Sequence, residues 1–199
     1  AIRDVYKRQI LCFPKRKSLQ SKEQFMAESK LERDIMDLKK EIDVIMDFPK
    51  EGISFKDITT LLRNKDSFKE AVRALAEPLR DEKIDFIVAP EARGFVLGCP
   101  VAYELGIGFV PIRKKGKLPR ETISVSYDKE YGTDELFMHK DDLKPGDRVA
   151  IIDDLLATGG TIKATEELIK KTGATIVKIG FLIELTDLNG REKLDTDVF

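Results

Sequence analysis

The spacing of apolar positions changes repeatedly along the chain, and those changes predict its elements. Leu31, Ile35, Leu38, Ile42 and Ile45 recur at helical spacing, so residues 31–46 are expected to form a helix. Pro49 and Gly52 then break it within DFPKEGISFKDITTLL, which reads as a structured loop leading to a short apolar turn. Residues 67–79 predict a second helix: Ser67 is the N-cap, Glu70 follows three residues on, and Phe68, Val72, Leu75 and Leu79 form the stripe. Residues 86–89 are a short apolar strand, 90–94 a loop, 95–105 a helix ended by Gly106, and 109–112 a strand running into the basic turn RKKGK. Residues 123–127 and 135–139 read as a hairpin or lid around 128–134. The unbroken apolar run 149–152 is a buried strand, 161–172 a helix closed by Gly173, and 176–185 a long strand. Strand and helix alternate, which predicts an α/β fold with a mainly parallel twisted sheet flanked by helices.

Residues 1 to about 29 are basic and lack clear periodicity, so 1–35 are read as an N-terminal extension, disordered or artefactual, leaving 36–199 as the domain. Asp197, Val198 and Phe199 read as a strand cut short. A chain of 199 residues suffices for one sizeable core. The formal net charge of −1 offers no global field for gripping nucleic acid. No apolar run approaches the roughly 18 residues of a membrane span, so no membrane partner is expected. Cys12 and Cys99 form neither a CxxC pair nor a metal-ligand spacing, which suits unpaired thiols in the cytoplasm.

The chemistry concentrates in VAIIDDLLATGGT, residues 149–161. Asp153 and Asp154 follow an apolar strand, where open α/β sheets present residues to ligands. Ionised carboxylates only accept hydrogen bonds, so vicinal sugar hydroxyls can donate to them. Ala157, Thr158, Gly159, Gly160 and Thr161 form a small loop before a helix: glycine admits close backbone approach, the helix N-terminus favours an anion, and the threonines add hydroxyl donors. Alone, the acid pair reads better as a strand-to-helix turn with solvated acids. The whole string reads as a site for a phosphorylated ribose. A Walker loop is absent, and Gly106-x-Gly108 lacks the third glycine of a dinucleotide fingerprint. The cationic turn Arg113, Lys114, Lys115 and Lys117 has no aromatic platform beside it, which argues against nucleic acid. His139, the single histidine, has no legible nucleophile or carboxylate partner and receives no catalytic role.

VAIIDDLLATGGT resembles the 5-phosphoribosyl-1-pyrophosphate (PRPP) signature of the type I phosphoribosyltransferases. DFPKEGISFKDITTLL, PEARGF, IRKKGKLP, YDKEYGTDEL and LIELTDLNGREKL occur in that order and resemble the adenine-specific branch of that family, from about Met36 to Phe199. The resemblance implies the type I fold, with a small hood formed by N-terminal and C-terminal segments. It implies a reaction in which adenine and PRPP give AMP and pyrophosphate, with Mg2+ held mainly by PRPP and no certain protein ligand, in a homodimer. Under it, Arg93 is the arginine of the pyrophosphate loop, suited to bidentate grip on a phosphoryl group and preceded by a cis peptide at Glu91–Ala92. Some members carry Ser where this chain has Ala92. Lys114 and Lys117 would neutralise the pyrophosphate. Asp153, Asp154 and residues 157–161 would bind PRPP. Glu130 would handle the proton on the adenine ring nitrogen. Phe55 would stack on one face of the purine, Leu185 would cover the other, and backbone groups of Ser54 and Lys56 would read its edge. Ala157 stands where enzymes for 6-oxopurines carry an aspartate, and it cannot do that work. Two alternatives stay open at this point: a PRPP- or nucleotide-sensing module on the same fold, and a transferase for another base.

Overall fold

The computed structural model describes residues 38–129 and 132–199. They divide after Ala74 into two compact units. In the N-terminal unit a short helical stretch at 38–40 buries Leu38, and Ile42 is also buried. Strand β1 (Asp43–Met46) then pairs antiparallel with β2 (Ser54–Asp57), Met46 opposite Ser54. This corrects the helix expected through residue 46, whose first part, 31–37, lies outside the described residues. Ile45 falls on the helical spacing, but β-branched Val44 and Ile45 suit a strand once a partner is available. The hairpin supplies that partner: Asp47 and Gly52 both adopt positive φ, and the Gly52 amide donates to Asp47 Oδ1 at 2.7 Å.

Two helices follow, α1 (Thr59–Arg63) and α2 (Lys65–Ala76). Helix α2 starts ahead of the expected Ser67 cap. Asn64 Oδ1 accepts from the Asp66 amide at 3.1 Å and the Ser67 amide at 3.4 Å, so Asn64 does the capping. Pro78 cannot continue the α-helical ladder, and Glu77–Leu79 is a 3-10 turn instead.

The second unit holds β3 (Phe86–Pro90), α3 (Arg93–Leu105), β4 (Gly108–Lys114), β5 (Thr122–Lys129), β6 (Gly132–His139), β7 (Arg148–Leu156), α4 (Gly160–Lys170) and β8 (Thr175–Glu184). They make a six-stranded sheet of order β5-β6-β4-β3-β7-β8. Strands β4, β3, β7 and β8 run parallel, and the β5–β6 hairpin joins antiparallel, as the alternating pattern led one to expect. The crossover β3–α3–β4 leads one way across the sheet and β7–α4–β8 the other. A crevice therefore opens at the carboxyl ends of β3 and β7.

Successive strand residues face opposite sides. Val88 and Ile151 pack with Ile162, Leu168 and Ile169 of α4. Ile87 and Ala89 face α3, where Gly98 permits the contact: a Cβ there would lie 2.9 Å from Ala89 Cβ and 3.1 Å from the Phe109 ring. Gly106 (φ 69°) closes α3 in the left-handed region. Beyond β8, residues 186–199 cluster with this same unit. Their end runs beside β8, with the Phe199 amide donating to Ile179 O and the Ile179 amide to Asp197 O, each at 2.9 Å. Among the described residues, no helix is long and apolar enough to cross a membrane.

Gly98→Val should lower unfolding stability by about 1–3 kcal/mol, because the added methyls must open the α3–sheet seam. Urea denaturation measures it, and an unchanged midpoint would refute the close approach.

Candidate active site

Strand β7 is longer than its apolar run. It continues through both acids to Leu156, with Leu155 opposite Ile183 and Leu156 opposite Glu184. The Leu185 amide then donates to Leu156 O at 2.8 Å. Asp153 and Asp154 are thus presented by paired backbone rather than by a loose turn. The Asp154 amide donates to Asp153 Oδ1 at 2.9 Å. Asp154 is only 4% exposed in its side chain, and Arg93 Nε stands 2.9 Å from its Oδ2. That oxygen has no aligned hydrogen bond, so the contact is one of charge.

Burial is the main reason both carboxyls titrate above the ordinary aspartate value, since desolvation disfavours the ionised form. The Asp154 charge pushes Asp153 further up, while Arg93 opposes the rise of Asp154. The described residues contain no group of three or more His, Cys, Asp or Glu side chains placed to hold a metal ion.

The loop at 157–161 follows directly. Gly159 has φ 79°, which glycine adopts without cost, and α4 begins at Gly160. The first amides of a helix lack intrahelical acceptors and point toward any anion there. Thr161 Oγ1 lies 3.4 Å from Tyr127 OH of β5. Residues 90–93, both acids and the 157–161 loop line one cleft of about 260 Å³. The carboxylates and the anion cradle therefore share a pocket.

Across the cleft, the Glu91–Ala92 bond is cis, as the resemblance implied. The Glu91 amide donates to Ile112 O at 2.9 Å. Its carboxylate accepts from Arg113 Nε at 2.7 Å and from the Lys114 amide at 3.0 Å. Burial pushes the Glu91 pKa up, but those donors outweigh it and hold the group below its ordinary value. Arg113 also lies over the Phe95 ring at 5.9 Å. The first cation of the basic turn is thus engaged in fixing the 90–93 loop. Lys114 Nζ stands 3.6 Å from Asp134 Oδ2 and is mostly exposed. Of the cations expected at the diphosphate, Arg93 lines the cleft, and Lys114 and Lys117 do not.

The residues expected at the base are distributed over both units. Ser54, Phe55 and Lys56 lie on β2, where Phe55 packs edge-on against Phe48 with centroids 5.2 Å apart. Lys56 is buried, which lowers its pKa, and its ammonium donates to Ser54 Oγ at 2.9 Å. Leu185 directly follows β8. Glu130, and Tyr131 beside it, lie outside the described residues. His139 is buried with Nδ1 lacking a hydrogen bond. Sequence reasoning missed three supports of the site: the Glu91–Arg113 pair, Gly94 and Gly190. A Cβ on Gly94 would lie 2.9 Å from Asp153 Oδ1, so the glycine after Arg93 admits the carboxylate to the helix start. Its position in PEARGF was the available signal.

The phosphoribosyl transferase domain model matches residues 57–199. The adenine phosphoribosyltransferase of Clostridium tetani (strain Massachusetts / E88) is 64% identical over 159 residues, covering 80% of this chain and 92% of that one. Among solved structures, the adenine phosphoribosyltransferase from Thermoanaerobacter pseudethanolicus is similar with a TM-score of 0.81 and 53% identity, covering 83% of this chain and 96% of that chain. The Saccharomyces cerevisiae adenine phosphoribosyltransferase, solved with adenine and D-2,5-dideoxy-2,5-imino-altritol 1,6-bisphosphate, also gives 0.81, at 40% identity, with 84% and 98% covered.

A carboxyl whose pKa is raised on folding stabilises the fold while protonated, and that contribution fades as pH rises through the folded value. Asp153→Asn keeps the acceptor for the Asp154 amide and removes the charge. The variant should therefore melt several degrees above the wild type at pH 8, with the gap closing toward about pH 4, the ordinary aspartate value. Melting curves across that range test the claim, and a lower melting point at pH 8 would contradict it.

Proposed function

The chain belongs to the phosphoribosyl transferase family, and on that premise we propose that it transfers the 5-phosphoribosyl group of PRPP to adenine, giving AMP and pyrophosphate in purine salvage. What carries this assignment is the convergence of Asp153, Asp154, Arg93 and the 157–161 loop on one cleft. The Clostridium tetani adenine phosphoribosyltransferase is 64% identical, and the Saccharomyces cerevisiae enzyme was crystallised with adenine and an imino-altritol bisphosphate together.

The chemistry follows from the side chains. Amides and hydroxyls of residues 157–161 hold the 5′-phosphate. Asp153 and Asp154 accept from the ribose hydroxyls and place negative charge near an anomeric carbon that gains oxocarbenium character. The bond from that carbon to the diphosphate oxygen breaks as the bond to the adenine ring nitrogen forms. Arg93 meets the departing diphosphate, with Lys114 and Lys117 supplying further positive charge nearby. Glu130 handles the proton on the ring nitrogen. Phe55 and Leu185 contact the faces of the base, and backbone groups of Ser54 and Lys56 its edge. Ala157 lines the cleft where an acid would be needed for a 6-oxopurine.

Magnesium fits this donor set. The cleft offers only hard oxygen ligands, and PRPP and water would complete the coordination. When bound, the ion neutralises charge on the leaving diphosphate. A homodimer belongs to the same reading. So does the cytoplasm, because a substrate with several phosphate charges does not cross a membrane unaided.

Incubation with PRPP, magnesium and each of adenine, hypoxanthine, guanine and orotate should give nucleotide from adenine alone. Product from none of them, with PRPP still bound, would instead identify a sensor. Arg93→Ala should lower kcat/KM by roughly 10²–10³, the scale of a lost charge-stabilising contact, and by more than Phe55→Leu does. Glu130→Gln should lower kcat by about 10²–10⁴ with little change in the KM for PRPP. Steady-state kinetics reads both, and a Phe55→Leu loss larger than that of Arg93→Ala would reverse the assigned roles.

A further inference from the structure

The 157–161 loop does not hold its shape alone. Gly190 opens the last 3-10 turn and is buried, and it meets the loop backbone against backbone. A Cβ on Gly190 would run into the Ala157 carbonyl oxygen and lie 3.1 Å from the Gly159 nitrogen. Conversely, a Cβ on Gly159 would lie 2.6 Å from the Gly190 carbonyl oxygen. Neither obstacle is a side chain that can swing aside. The two glycines interlock, and the position of Gly190 limits the shapes open to the loop.

Gly190 is itself fastened on both sides. Arg191 next to it donates to Glu184 through Nη2–Oε2 at 2.8 Å and Nε–Oε1 at 3.2 Å, and through Nη1 to Val198 O at 2.5 Å. Glu184 ends β8 opposite Leu156, the last residue of β7. The Arg191 contact is therefore anchored to the strand ends that deliver Asp153 and Asp154. On the other side, Glu166 is fully buried on α4, the helix that grows out of the loop. A buried carboxylate is costly unless donors fill its lone pairs. The donors come from the C-terminal segment: the Asp195 amide at 3.3 Å, the Thr196 amide at 3.1 Å and the Thr196 hydroxyl at 2.7 Å. Lys163 and Lys170 of α4 also pair with Asp195, at 2.8 Å and 2.5 Å.

We propose that Gly190 is a positioning residue for the 5′-phosphate, acting through the 157–161 loop, and that Arg191 holds Gly190 in place. The inference rests on the assignment of that loop to the phosphate. It makes the C-terminal segment part of the phosphate site although none of its residues lines the cleft.

The test measures ribose 5-phosphate binding by calorimetry, and kinetics with PRPP and adenine, on the full chain. The variants are Gly190→Ala and Arg191→Lys. Gly106→Ala is the control, since its positive φ (69°) strains an alanine while no neighbouring atom opposes the added Cβ. Gly190→Ala should weaken ribose 5-phosphate binding and raise the KM for PRPP roughly tenfold or more, since small misplacements of a binding group carry such penalties. Arg191→Lys keeps the charge but loses the forked grip, and should give about a threefold effect in the same two quantities. The KM for adenine should stay within about twofold, and Gly106→Ala should lower stability without moving phosphate affinity.

Unchanged affinity in both variants overturns the proposal, as does a loss that Gly106→Ala shares in proportion to its lowered melting point. If Gly190→Ala does not fold, Arg191→Lys decides by the same readouts. Wild-type protein that binds ribose 5-phosphate without forming AMP would remove the transferase assignment alone, and loss of binding in the variants would still uphold this one. Wild-type protein that fails to bind ribose 5-phosphate removes both.

Discussion

Asp153 and Asp154 lose most of their water where β7 reaches the sheet edge, and a desolvated carboxylate must find a cation, a donor or a proton. The surroundings supply all three in part. The Asp154 amide serves Asp153, the Arg93 guanidinium serves Asp154, and the raised pKa values record what is left unmet. This pair does not earn its place by stabilising the fold. A sugar presenting two hydroxyls offers donors at the distance where the protein alone offers too few. Under the proposed function, the cost of burying the pair is the counterpart of its affinity for the ribose hydroxyls.

Holding two acids at that edge requires rigid neighbours, and glycine provides them at three points. Gly94 lets the start of α3 come up to Asp153, Gly159 turns the loop in the left-handed region, and Gly190 backs the loop from behind. Each is a place where backbone must approach backbone or carboxylate more closely than a Cβ permits. Opposite them, Glu91 is bound by Arg113 and by the Lys114 amide, so the loop that carries Arg93 is fixed by a charge pair rather than by packing. Two different means, steric and electrostatic, thus set the two walls of one cleft.

The parts of this arrangement legible in the sequence are those written in local pattern. Residues 86–89 and 149–152 are unbroken apolar runs because parallel strands are covered on both faces, and both became strands, as did the mostly apolar 176–185. The acids and the glycine loop were readable because donor, acceptor and turn all fall within one strand–loop–helix unit. What was misread depends on distant partners. Ile45 continues the helical spacing of Leu38 and Ile42, and only pairing with β2 places it in a strand instead. Asn64 and Ser67 are both acceptable caps, and the choice falls to the residue whose side chain meets the free amides. Arg113 looked like one more solvated cation because Glu91, its partner, is far away along the chain. Gly190 lies within LIELTDLNGREKL, but a glycine between Asn189 and Arg191 reads locally as an ordinary turn, and nothing in the pattern points to the distant 157–161 loop.

Arg93 links the two ends of the chemistry. It is half exposed, yet its guanidinium lies against the nearly buried Asp154. A cation so placed screens the carboxylate pair, and it stands at the rim where a diphosphate would sit. Under the proposed function, ribose hydroxyls would donate to Asp153 and Asp154, Asp154 would need Arg93 less, and the guanidinium would be freer to turn toward phosphoryl oxygens that match its fork. The two bonds need not compete, because one substrate carries both the hydroxyls and the diphosphate. Arg93 can therefore pass from a contact that satisfies the unliganded protein to one that strengthens as charge builds on the leaving group. On the proposed reading, Arg93 lowers the barrier to the extent that the contact it gains with the leaving group exceeds the one it gives up to Asp154, which is the condition that separates catalysis from merely tighter binding.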